Sequence, residues 1–97
     1  VAADVLRGDM PISQWNEPMQ EDTALLDVRD VDEFEAGHFP GAINIPVNEL
    51  RHRLPEVPKS KDLRVYCAVG IRGYLATRIL LQNNIPARNV SGGFLTP

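Results

Sequence analysis

Cysteine is almost missing from this chain: among 97 residues only Cys67 carries a thiol. An internal disulfide is thereby excluded, and a single reduced thiol points to the cytoplasm. Histidine is nearly as scarce, and one Cys with His38 and His52 at unrelated spacings makes no zinc set, so no metal is expected. Aromatic residues make up 6% of the chain; Trp15, Phe34 and Phe39 read as core side chains rather than ligand platforms. Positive charge is not in excess. A net charge of -3 argues against nucleic acid and anionic membrane surfaces as partners. No apolar run is long enough to span a bilayer, and no signal-peptide pattern precedes the first element. Repeats and low-complexity tracts are absent too. What remains, 43% hydrophobic and 24% charged, is the composition of one globular domain over residues 1–97 with a single core. The chain starts at Val1 rather than at a methionine, which suggests a domain excised from a longer protein.

From residue 24 onward short apolar runs alternate with helical patterns. Ala24–Val28 reads as a buried strand. Asp30-Val31-Asp32-Glu33 has the form of a capping box opening a short helix, and Gly37 is expected to end it in the left-handed conformation. Ile43–Ile45 is a brief strand stopped by Pro46. Val47, Leu50 and Leu54 mark one face of a helix that Pro55 and Pro58 close. Leu63–Cys67 is the next strand. A helical pattern runs from Tyr74 to Asn84, and Ile71, Leu75 and Ile79, with Ala76 and Leu80, form an apolar stripe. Arg88–Val90 is the last strand. Ahead of residue 24 a helical start at Ala2–Leu6 breaks at Gly8 and Pro11, with Trp15 anchoring the remainder. Such alternation predicts an α/β domain with a parallel sheet covered on both faces. Ligands of such sheets bind beyond the carboxyl ends of the strands, where Cys67 and Asp27-Val28-Arg29 lie.

Cys67 stands where a strand gives way to a helix, followed by Ala68-Val69-Gly70-Ile71-Arg72-Gly73. A short loop wrapped ahead of a helix aims successive N–H groups into one concavity, and the helix dipole adds to it. Gly70 and Gly73 supply the dihedrals the turn needs. Arg72 sets a permanent positive charge beside the nest, and all three effects favour the nucleophilic thiolate. A thiolate within a ring of donors attacks either an electrophilic sulfur, keeping the product as a persulfide, or phosphorus. A phosphoryl group needs the wider ring, and the four residues between Cys67 and Arg72 favour sulfur.

This loop resembles the active-site loop of the rhodanese family. Asp27-Val28-Arg29 with Glu33-Phe34-Glu35-Ala36-Gly37-His38-Phe39-Pro40-Gly41-Ala42 resembles a second signature of that family, and Ser91-Gly92-Gly93 its closing motif. The resemblance implies a five-stranded parallel sheet with helices on both faces. It implies Cys67 as the persulfide-forming nucleophile, and backbone N–H groups from Ala68, Val69, Gly70, Ile71 and Gly73 as the binding site of the transferred sulfur. Two departures stand out. Gly73 replaces the serine or threonine common after the loop arginine, and the free rim positions Ala68, Val69 and Ile71 are all apolar. Such a rim suits thiosulfate poorly and favours less charged persulfides or polysulfides.

Val69–Ala76, together with Ala3–Asp9 and Trp15, is similar to the rhodanese domain at the carboxyl end of flavin-dependent coenzyme A-disulfide reductases. That likeness implies a parent protein using FAD, NAD(P)H and coenzyme A, with no cofactor in this domain. Its partners would be a sulfur donor, a thiol acceptor and a flavoprotein reductase in the same polypeptide. A small phosphatase using Cys67, and a catalytically idle docking module, are the alternatives. Asp27 and Arg29 read as an ion pair tying loops together, with support of the site as their second reading. His38 reads as a turn residue bonded to backbone, and Glu33 is accounted for by capping.

Overall fold

Residues 23–27 and 62–66 alternate side chains between two faces that are both covered, as strands in the middle of a sheet must. The computed structural model describes the backbone of Ile12–Ser13 and residues 22–90. The elements run β1 (Ile12–Ser13), β2 (Thr23–Asp27), α1 (Val31–Ala36), β3 (Ile43–Asn44), two 3₁₀ turns (Val47–His52 and Leu54–Glu56), β4 (Asp62–Tyr66), α2 (Ile71–Gln82) and β5 (Arg88–Val90). All strand pairs are parallel, in the order β1-β5-β4-β2-β3. The expected five-stranded sheet is thus described through its side chains for four strands, with β1 present as a two-residue backbone segment on the edge.

One face of the sheet carries Leu26, Val28, Leu63, Val65 and Cys67, packed with Ile45, Leu50, Ala76, Ile79 and Leu80. The other carries Leu25, Tyr66 and Val90, against which Phe39 and Ala42 pack. Helices on both faces were expected. Among the described residues, α2 and the longer 3₁₀ turn pack together on the first face, whereas α1 buries no residue. Ala2–Leu6, Trp15 and Ser91-Gly92-Gly93 lie outside the described residues.

Four local expectations change. The helix over Val47–Leu54 is instead a pair of 3₁₀ turns: Glu49 N–H bonds Pro46 O and Arg53 N–H bonds Leu50 O, three residues back, and Pro55 has no N–H with which to continue. Gly37 leaves α1 extended, at φ 159° and ψ 137°, rather than left-handed; there its carbonyl accepts from Arg29 Nη2 at 2.7 Å. Helix α2 begins at Ile71, three residues before the expected Tyr74, so Arg72 and Gly73 belong to its first turn. Its buried face is also rotated from the expected stripe. Gly73, Tyr74, Ala76, Thr77, Ile79 and Leu80 are buried, while Ile71 and Leu75 are exposed. Gly73 faces the sheet, and residues three, four and seven positions on must then share its face.

The chain leaves β2 toward β3 on one side and leaves β4 toward β5 on the other. A crevice opens where two adjacent parallel strands send their connections in opposite directions, beyond their carboxyl ends. The β2–α1 connection and the Cys67 loop face each other across it.

Candidate active site

Cys67 follows the last residue of β4, and its side chain continues the apolar face of Leu63 and Val65. The sulfur is fully buried. Gly70 caps α2 at φ 103° and ψ -20°, a left-handed conformation that a side chain disfavours. That turn brings the chain back over the thiol: Gly70 N–H donates to Sγ at 3.0 Å and Gly73 N–H at 3.1 Å. Two of the expected loop donors therefore converge on one sulfur atom at the start of a twelve-residue helix, where the dipole adds to them. Two converging N–H donors can stabilise negative charge that develops on a sulfur at this point. Val69 and Ile71 form the rim and are exposed by 62% and 61%; Ala68 is half-buried.

Arg72 stands beside this nest but is engaged elsewhere. Its Nη1 and Nη2 donate to Glu33 Oε1 and Oε2 at 2.7 and 3.0 Å. Glu33 also keeps its capping role, Oε1 accepting from Asp30 N–H at 2.9 Å. The carboxyl is held down to about 2, first by Arg72 and then by the Asp30 N–H. Arg72 is held above its usual range, first by the Glu33 hydrogen bond. Capping alone therefore does not account for Glu33. Its partner is 39 residues away, and no local pattern announces a contact made across the crevice.

Asp27 and Arg29 are both buried. Arg29 Nε donates to Asp27 Oδ1 and Oδ2 at 3.0 and 3.1 Å, Nη2 to Oδ2 at 2.7 Å, and the Arg29 N–H to Oδ1 at 3.0 Å. Asp27 lies on the sheet face of Leu25, opposite the one Cys67 occupies. Burial, and then a hydrogen bond to Asp27, raise the Tyr66 phenol above its usual range. The structure therefore places this pair as a tie between the β2 end, Gly37 and Tyr66. His38, exposed, stacks on Phe34 and bonds the Phe34 carbonyl through Nδ1 at 2.7 Å, the backbone role read from its turn position.

Asn89, on β5, went unnoticed in the sequence. Its Nδ2 donates to the Gly70 carbonyl at 3.2 Å, and its amide lies against Gly73. No helix among the described residues is long and apolar enough to cross a membrane.

Comparison with known proteins bears on this site. Residues 13–95 match the family model described as the rhodanese-like domain. A sulfurtransferase of Allochromatium vinosum is 34% identical over 76 residues, covering 77% of this chain and 71% of its own length. Reduced CoADR-RHD of Bacillus anthracis superimposes on 97% of the chain with TM-score 0.83 and 40% identity. A NAD-dependent persulfide reductase of A. fulgidus does so on 95% with TM-score 0.76 and 33% identity. The chain spans 17% and 16% of those two proteins. A parallel α/β sheet, a cysteine beyond its central strand under two glycine N–H groups, and a match over most of the length agree: the chain belongs to the rhodanese-like family, with the rhodanese domains of reductases among its structural neighbours.

Proposed function

We propose that this domain receives sulfane sulfur on Cys67 as a persulfide and passes it to or from a thiol, with coenzyme A persulfide or polysulfide as donor. The Cys67 thiolate attacks the outer sulfur of the donor, the donor S–S bond breaks with its electron pair going to the departing thiolate, and a new S–S bond forms on Cys67. Attack by an acceptor thiol reverses these roles, and no external oxidant or reductant enters. The observation that carries this reading is the pair of N–H groups at 3.0 and 3.1 Å from Sγ, preorganised donors where charge develops.

The apolar rim of Val69 and Ile71 supports the choice of donor. A thin pantetheine arm, mostly uncharged at its sulfur end, loses far less solvation at such a rim than a dianion such as thiosulfate, which meets no side-chain donor from Val69 or Ile71. The likeness to two reductase chains about six times longer supports a parent polypeptide that also carries a disulfide reductase using FAD and NAD(P)H.

Intact mass after incubation with coenzyme A persulfide should show one added sulfur, removable by cyanide or a thiol and absent in Cys67→Ser. The kcat/KM for coenzyme A persulfide should exceed that for thiosulfate, since this ratio compares transition-state stabilisation from the free reactants. A Cys67→Ser protein that still transfers sulfur would overturn the assignment of the nucleophile. Preference for thiosulfate would overturn the assignment of the donor.

A further inference from the structure

Asn89 is 5% exposed, and its Oδ1 is buried without a hydrogen-bond partner among the described residues. The amide cannot be turned over, because that would set an oxygen rather than a donor against the Gly70 carbonyl 3.2 Å away. In the orientation it holds, Oδ1 occupies the space of a residue-73 side chain: a Cβ on Gly73 would lie 2.3 Å from Oδ1 and 3.4 Å from Cγ. A bare buried acceptor is destabilising, so the arrangement calls for a function.

That function is visible in what the amide touches. Gly70 and Gly73 are the two residues whose N–H groups reach Sγ. Asn89 bonds the carbonyl of the first, an oxygen that also accepts the Tyr74 N–H at 2.9 Å, and packs on Cα of the second. The Gly70 bond fixes the peptide leaving a left-handed residue, the softest joint in the loop. The contact at Gly73 sets how closely the first turn of α2 approaches β5. We propose that Asn89 is a positioning residue for the sulfur-binding loop: it holds both donor glycines on Sγ, and position 73 is glycine because this amide takes the place of its side chain. The proposal rests on the reading of Cys67 as the sulfur-carrying nucleophile for its role in transfer, and on geometry alone for the order of the loop.

Two measurements separate these dependences. Amide hydrogen exchange, followed by NMR on Asn89→Ala, should speed at Gly70 and Gly73 by about tenfold or more while the β4 amides of Val65 and Tyr66 keep their rates, because local opening is read separately from global unfolding. In transfer assays Asn89→Ala should lower kcat by about tenfold with KM within about twofold, the mark of an interaction acting in the transition state. Gly73→Ala in the natural background should produce the same pattern, since its methyl displaces the amide. In the double variant the two losses should not multiply, because Asn89→Ala vacates the space that the methyl needs. Unchanged exchange at Gly70 and Gly73, or losses that multiply, would overturn the proposal. If Asn89→Ala does not accumulate as folded protein, Gly73→Ala alone carries the test, and its retaining natural exchange and kcat would overturn it. Faster exchange in a protein whose natural form moves no sulfur would refute the function of Cys67 and leave the role of Asn89 in ordering the loop intact.

Discussion

Replacing Glu33 by Gln removes the charge that joins the two sides of the crevice while keeping a side chain of the same size. Glu33 accepts two hydrogen bonds from Arg72, at 2.7 and 3.0 Å, and one from the Asp30 N–H at 2.9 Å. The side chains of Arg72 and Glu33 are 32% and 34% exposed, so water screens the pair and its coupling is about 1 kcal/mol, the upper end for surface pairs with bidentate geometry. Gln retains a carbonyl acceptor for the Asp30 N–H, so the capping contribution largely survives. In urea titrations at pH 7 the variant should therefore lose about 1 kcal/mol, and its Tm should fall by about 4–8 °C for a domain of this size.

The pH dependence carries a definite sign. A carboxyl whose folded pKa is depressed stabilises the protein above its unfolded value, and that contribution is lost as pH falls toward the folded one. Glu33 is held at about 2 against an ordinary 4.5. The stability gap between the natural chain and Glu33→Gln should thus be full above about pH 5 and close on approaching pH 2. A double-mutant cycle with Arg72→Ala isolates the pair. Coupling below about 0.3 kcal/mol at low salt, or a gap that does not narrow in acid, would refute the reasoning.

Further outcomes follow from the same geometry. Asp27→Ala removes the buried carboxylate that the Arg29 guanidinium binds and should destabilise by about 3–5 kcal/mol in urea unfolding, far more than Glu33→Gln. Gly70→Ala sets a Cβ on a residue at φ 103°, costing about 1–2 kcal/mol; by turning one donor from Sγ it should lower kcat for sulfur transfer more than it raises KM. Hydrolysis of aryl phosphates should be negligible, because two N–H groups closed on a single sulfur leave too small a ring for three phosphoryl oxygens. Robust Cys67-dependent phosphate release would contradict that size argument.

The thiol and its loop were legible in the sequence because their signals are local. Gly70 needs a particular dihedral, a strand must end before a helix begins, and Cys67 lies between the two; no distant residue is required to see this. Alternation of apolar runs likewise indicated a parallel sheet, since a strand covered on both faces carries that pattern wherever it sits. The end of α1 at Gly37 was legible, but not its extended exit, which depends on the bond from Arg29 to its carbonyl. Over Val47–Leu54 helical periodicity does not distinguish an α-helix from 3₁₀ turns, because proline and short-range bonding tighten the turn in ways that side-chain spacing does not record. The rotation of α2 was also hidden. Apolar spacing alone favours Ile71 and Leu75 as core, yet Gly73 faces the sheet, and Tyr74, Ala76, Thr77, Ile79 and Leu80 make up the buried face with it.

By itself the sequence determined the class of fold, the strand-to-helix loop that carries Cys67 and the special dihedral at Gly70, all of which follow from chain-local conformation and periodicity. Tertiary structure alone decided which groups steady that loop. Arg72 meets Glu33 from 39 residues away, and Asn89 meets Gly70 across 19. Both contacts exist because β2 and β4 lie side by side and send their connections apart, while β5 returns beside β4. Strand order is a property of the whole packed sheet, and no stretch of residues short enough to show a pattern contains it.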